Sequence, residues 1–186
     1  MQNCNMDRNA PSHYADRSPA DSLAKSRSVI SYIHSLNSSL IRPILTPRFA
    51  ISCTDDLLRG LGQLAAEYPS LMSHKTDPKS SRLPIQTHVS ENRSEVLMAA
   101  SLFPCHSSYA AIYDDYGLLG QSTILAHGCY LSDEEIALIK KAGAGISHCP
   151  TSNFNLTSGV AKVGEWIDQG VKVYISSCLR HRLGDV

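Results

Sequence analysis

The alternation of apolar and polar positions along these 186 residues changes period several times, and each change marks an element. The opening MQNCNMDRNAPSHYADR is polar, carries a proline and holds no period of 2 or 3.6, which predicts loop on a scaffold that begins elsewhere. Ser18-Pro19-Ala20-Asp21 then reads as an N-cap, a proline at the first helical position and a carboxylate in the first turn. Leu23, Ile30, Ile33 and Leu36 follow at helical spacing, so a helix is expected to about Leu36. Ile41 to Leu45 is a short apolar strand, and Thr54 caps a helix carrying Leu57, Leu58, Leu61, Leu64 and Ala65. HKTDPKSS reads as a linker.

Leu83 to His88 predicts the next strand, and Ser90 is expected to cap a helix through Val96, Leu97 and Leu102. Thr123 to Ala126 is a strand, and Ser132 with Glu135 forms a capping box for a helix that stops at Gly143. Ala144 to His148 predicts a strand, Ser158 to Gln169 a helix, and Val171 to Ile175 a final strand. Five short, continuously apolar strands separated by helices indicate an α/β fold with a parallel sheet covered by its crossovers.

Charge and cysteine content narrow the partners. Seventeen basic and 17 acidic residues balance with no long run of either sign, so no nucleic-acid or anionic-membrane surface is expected. Six cysteines are scattered without a C-x-x-C pair, and neither a signal-like start nor a membrane-length apolar run is present, which predicts a cytoplasmic, soluble chain.

In parallel α/β folds chemistry collects at the carboxyl ends of strands. Here Arg48 follows the first predicted strand, His88 and Glu91 the second, His127 the third and His148 the fourth. A strand-end imidazole suits zinc or iron, and a carboxylate three residues on suits a proton shuttle to a metal-bound water. Taken alone, each has an ordinary structural role too: Glu91 favours a helix N-terminus, His127 and His148 suit hydrogen-bonded cores, Arg48 a solvated loop and Phe49 a core.

Thr46-Pro47-Arg48-Phe49, QTHVSENRSEV, LAHGCYLSDEE and ISHCPTSN, in this order, resemble the successive strand-end motifs of the guanine deaminase family, zinc-dependent amidohydrolases. The resemblance implies a partial (β/α)8 TIM barrel, about strands 4 to 8, and hydrolysis of guanine to xanthine and ammonia in purine catabolism. It implies His88 as metal ligand, Glu91 as acid/base, His127 as the catalytic histidine beside the attacking water, and Arg48 and Phe49 as the purine-binding pair. His148 matches a motif position with no catalytic role. Residues 1–17 then stand as a remnant of an upstream barrel segment, 18–173 as the barrel portion and 174–186 as a divergent tail.

The family's zinc also takes a His-x-His pair and an aspartate that this sequence does not supply, since none of its eight histidines stands two residues from another. The expectation is that the chain alone binds zinc poorly and does not deaminate guanine. Two further readings stay open: a related amidohydrolase acting on S-adenosylhomocysteine or a triazine, and a non-catalytic truncated form that pairs with itself or with a full-length subunit.

Overall fold

The computed structural model describes residues 3–68 and 82–176, so HKTDPKSS and the end of the divergent tail lie outside the described residues. Its strands are β1 (Cys4–Asn5), β2 (Thr46–Pro47), β3 (Ile85–Val89), β4 (Thr123–His127), β5 (Gly145–His148) and β6 (Lys172–Ile175). All pair in parallel, in the orders β1-β2 and β3-β4-β5-β6, and a parallel bridge from Leu45 to Ile85 joins the two sets. Spatial order therefore equals chain order, the arrangement that successive crossovers on one face produce.

The helices are α1 (Pro19–Ser35), α2 (Asp55–Glu67), α3 (Arg93–Leu102), α4 (Tyr109–Asp115), α5 (Asp133–Ala142), α6 (Pro150–Asn155) and α7 (Val163–Asp168). Ser18, Thr54 and Ser132 cap as expected, each hydroxyl accepting a backbone N–H of the first turn, and Gly143 ends α5 at a left-handed φ of 72°. Leu57, Leu58, Leu61, Leu64 and Ala65 of α2 are all fully buried, in one core with Ile85, Leu125 and Ile146 of the sheet. Each such leucine removed from water contributes about 1.5–3 kcal/mol. The opposite face of the sheet is less covered: Ile124 is 38% and Tyr174 55% exposed.

Four expectations change, and the structure adds helices that the pattern did not predict. The opening is not all loop: Cys4–Asn5 forms a sixth strand paired with Thr46–Pro47. The pairing is fixed by a buried polar side chain, because Asn5 Nδ2 donates to Ser22 and Ser26 Oγ at 2.8 Å each. Those serines lie on the buried face of α1 with Ile30 and Ile33. The strand expected at Ile41–Leu45 shifts to Thr46–Pro47, with Leu45 only bridging.

Asn92, not Ser90, caps α3, because Glu95 stands three residues after it and closes a reciprocal capping box. Ser90 instead takes a left-handed φ of 47°, and Glu91 lies outside the helix it was expected to begin. The helix expected over Ser158–Gln169 shortens to α7, Val163–Asp168, and α6, Pro150–Asn155, precedes it where no helix was expected. Finally α4, which the short apolar run Tyr109–Tyr113 concealed, packs against the turn Ala50–Ser52 beneath the strand ends.

Candidate functional site

Strand alternation decides where each strand-end side chain goes. In β3, Ile85, Thr87 and Val89 face the helices and are buried, while Gln86 and His88 face the other way and are half-buried. Val89 is in register with His127, so alternation alone would send His127 toward the helices. His127 instead has φ 75°, followed by Gly128 at 71°, and this break in the alternation turns the ring back over the strand ends. It stacks on His88 with centroids 5.2 Å apart and planes 18° from parallel. A non-glycine residue in this region stores strain, a feature concentrated at functional sites.

His88 is held from below. Its Nδ1 lies 2.6 Å from the Arg48 carbonyl, which leaves Nε2 as the ring's free atom. Tyr113, fully buried on α4, donates its hydroxyl to the His88 carbonyl at 2.7 Å and accepts from Ala50 N at 3.0 Å and Thr87 Oγ1 at 3.1 Å. One phenol thus ties α4, the turn after β2 and β3 together directly under the histidine. Burial lowers the pKa of His88 and proximity to His127 adds to this, so its ring is favoured as the neutral form that ligates metals.

Glu91 Oε1 sits 3.6 Å from His127 Nδ1 and accepts the Ser158 hydroxyl at 3.1 Å. His127 Nδ1 also meets Asn153 Oδ1 at 2.8 Å, and His127 and Asn153 are each 2% exposed. On the other side Phe49 approaches the His88 ring edge-on at 6.1 Å, and the exposed Arg48 places its guanidinium 5.2 Å from the Phe49 centroid. The structure therefore gathers all five predicted residues in one continuous row: Arg48, Phe49, His88, His127, Glu91. Beside Glu91 an open groove of about 560 Å³ runs between Arg93, Tyr130, Leu156 and Ser158.

His148 stays apart from that row, half-buried, its pKa lowered by burial and by proximity to His127. Cys129, also near Glu91, has its thiol raised to about 11 by burial and by that carboxylate, so it is a thiol and not a nucleophilic thiolate at neutral pH. The sequence reading missed Tyr113, Asn153 and Ser158. Asn153 stood inside the quoted ISHCPTSN, but nothing in the spacing said that its amide would meet a histidine 26 residues earlier.

A row holding a neutral imidazole, a carboxylate and a second imidazole can take a proton from water and return it elsewhere. His88 fits one corner of a zinc site by its free Nε2. Among the described residues, though, no three His, Cys, Asp or Glu side chains are grouped to hold a metal ion, so these residues do not by themselves fit a whole zinc centre.

Comparison with known proteins gives the family of the chain. The Amidohydrolase family matches residues 1–177. A probable guanine deaminase of Schizosaccharomyces pombe is 48% identical over 172 residues, which are 91% of this chain and 30% of the relative. The human guanine deaminase is 39% identical over 153 residues, 82% of this chain and 31% of that protein. The crystal structure of guanine deaminase from C. acetobutylicum, with guanine bound in its active site, superposes with a TM-score of 0.83 at 38% identity, over 94% of this chain and 38% of that one. The chain thus spans about a third of the length of the relatives it matches.

Proposed function

Because this chain belongs to the amidohydrolase family, we propose that it contributes the later strand ends of a guanine deaminase, and that Glu91, His127, His88, Arg48 and Phe49 do its chemistry. The observation that carries this reading is the stacked His88–His127 pair with Glu91 Oε1 3.6 Å from His127 Nδ1. Glu91 is the acid/base: its carboxylate takes a proton from the attacking water and delivers one to the departing amine. His127 holds the reacting oxygen in place by hydrogen bonding. Arg48 offers a guanidinium fork to the O6 and N7 acceptors on one edge of guanine, and Phe49 packs on the purine. The relatives named guanine deaminase support that substrate over a triazine or S-adenosylhomocysteine.

Zinc bound at His88 would supply an acidified water. Its other ligands would have to come from outside the described residues. That shortage favours a second reading, in which the chain by itself is a non-catalytic partner of a longer subunit.

The test is complementation. The chain is mixed with the part of the Schizosaccharomyces pombe relative that precedes and follows the matched third, zinc is added, and guanine-to-xanthine conversion is followed by ultraviolet absorbance. Turnover by the completed barrel, lost in Glu91→Gln, is the expected result. A completed barrel that folds and ignores guanine overturns the proposal, and turnover by the chain alone removes the second reading.

A further inference from the structure

Between β5 and α7 stand two buried side chains to which the chemistry above gives no task. Asn153 is 2% exposed, and its Oδ1 lies 2.8 Å from His127 Nδ1. Ser158 is 5% exposed and donates to Glu91 Oε1 at 3.1 Å. The two are tied to each other and to the site's wall: Ser158 N donates to the Asn153 carbonyl at 2.8 Å, and the Tyr130 hydroxyl donates to the Ser158 carbonyl at 2.7 Å. One short segment therefore grips both groups that must face the reacting atoms.

We infer that Asn153 and Ser158 are positioning residues, with Asn153 fixing His127 as the Nδ1–H tautomer and Ser158 holding the Glu91 carboxylate beside it. The inference rests on the roles proposed for Glu91 and His127. A neutral imidazole has one N–H, and two acceptors lie near Nδ1: Asn153 Oδ1 at 2.8 Å and Glu91 Oε1 at 3.6 Å. The shorter contact takes the proton. Glu91 then keeps its lone pairs for the proton of water, and His127 presents Nε2 as an acceptor. An amide suits the position because it accepts without adding a second negative charge next to Glu91. Asn153 Nδ2 is buried with no partner among the described residues.

Long-range 1H–15N correlation on the full chain with 15N-labelled histidine, alone and in the completed barrel, reads the tautomer without zinc or guanine. The expected spectrum shows His127 with a protonated Nδ1 and a bare Nε2. Asn153→Asp retains an acceptor and keeps Nδ1 protonated, whereas Asn153→Ala moves both nitrogens toward the exchange average. An Nε2–H tautomer in the unmodified chain overturns the inference, as does an Asn153→Ala protein that folds and keeps Nδ1–H. Should Asn153→Ala fail to fold, the unmodified and Asn153→Asp spectra still decide. A correct tautomer with no guanine turnover in the completed barrel defeats the proposed function alone, and a reversed tautomer with turnover defeats this inference alone.

Discussion

The rings of His88 and His127 lie face to face at 5.2 Å, although strand register sets His127 opposite Val89 and not opposite His88. The left-handed backbone at His127 makes the difference, and with it a pair of histidines 39 positions apart becomes one surface with Glu91 at its edge.

That surface depends on a phenol it never exposes. Tyr113→Phe removes the hydroxyl that serves the His88 carbonyl, Ala50 N–H and Thr87. A buried N–H left without its acceptor costs about 1–3 kcal/mol. The variant is expected to unfold at lower urea by that amount with an unchanged dependence on denaturant; an unchanged midpoint would show the network to be dispensable.

Gly62 separates helix propensity from packing. Inside a helix, Gly→Ala is ordinarily stabilising by about 1 kcal/mol. Here a Cβ would stand 1.9 Å from the Tyr116 carbonyl oxygen, a backbone atom that cannot rotate away. Gly62→Ala is therefore expected to destabilise, by about 1–3 kcal/mol if the turn after α4 yields. A rise in melting temperature would refute the close approach of α2 to that turn.

Glu95 gives a pH signature. Its side chain accepts from Glu91 N at 2.9 Å and Asn92 N at 3.4 Å, and burial raises its pKa above the ordinary glutamate value. The folded state then binds the proton more tightly than the unfolded one. This contribution is fully present below about pH 4.3, the unfolded value, and is lost as pH rises through the folded value. Glu95→Gln, neutral at every pH, should gain stability relative to the parent between pH 4 and pH 7. Parallel urea titrations at the two pH values check the sign, and a constant difference would contradict it.

Zinc provides the fourth test. With no group of three ligands among the described residues, the chain alone should show no thermal shift on adding zinc. A complete site at a hundredfold excess over its dissociation constant would contribute about 2.7 kcal/mol. In the completed barrel the shift should appear, and His88→Ala should diminish it.

The division between sequence and structure follows from the range of the forces involved. Period, caps and turn residues act within a few positions, so the α/β class, the parallel strands, the Ser132–Glu135 box and the Gly143 stop were all legible from the text. That Arg48, Phe49, His88, Glu91 and His127 stand at strand ends was legible as well, because each follows a local apolar run or lies inside a quoted motif. What remained hidden was everything decided by contacts between distant positions. Cys4–Asn5 is a strand only because Asn5 meets Ser22 and Ser26, and α4 matters only because Tyr113 reaches the His88 carbonyl. Residues set the elements by local propensity, but which ring faces which carboxylate was decided by register, by one left-handed residue and by buried polar groups that had to find partners once water was gone.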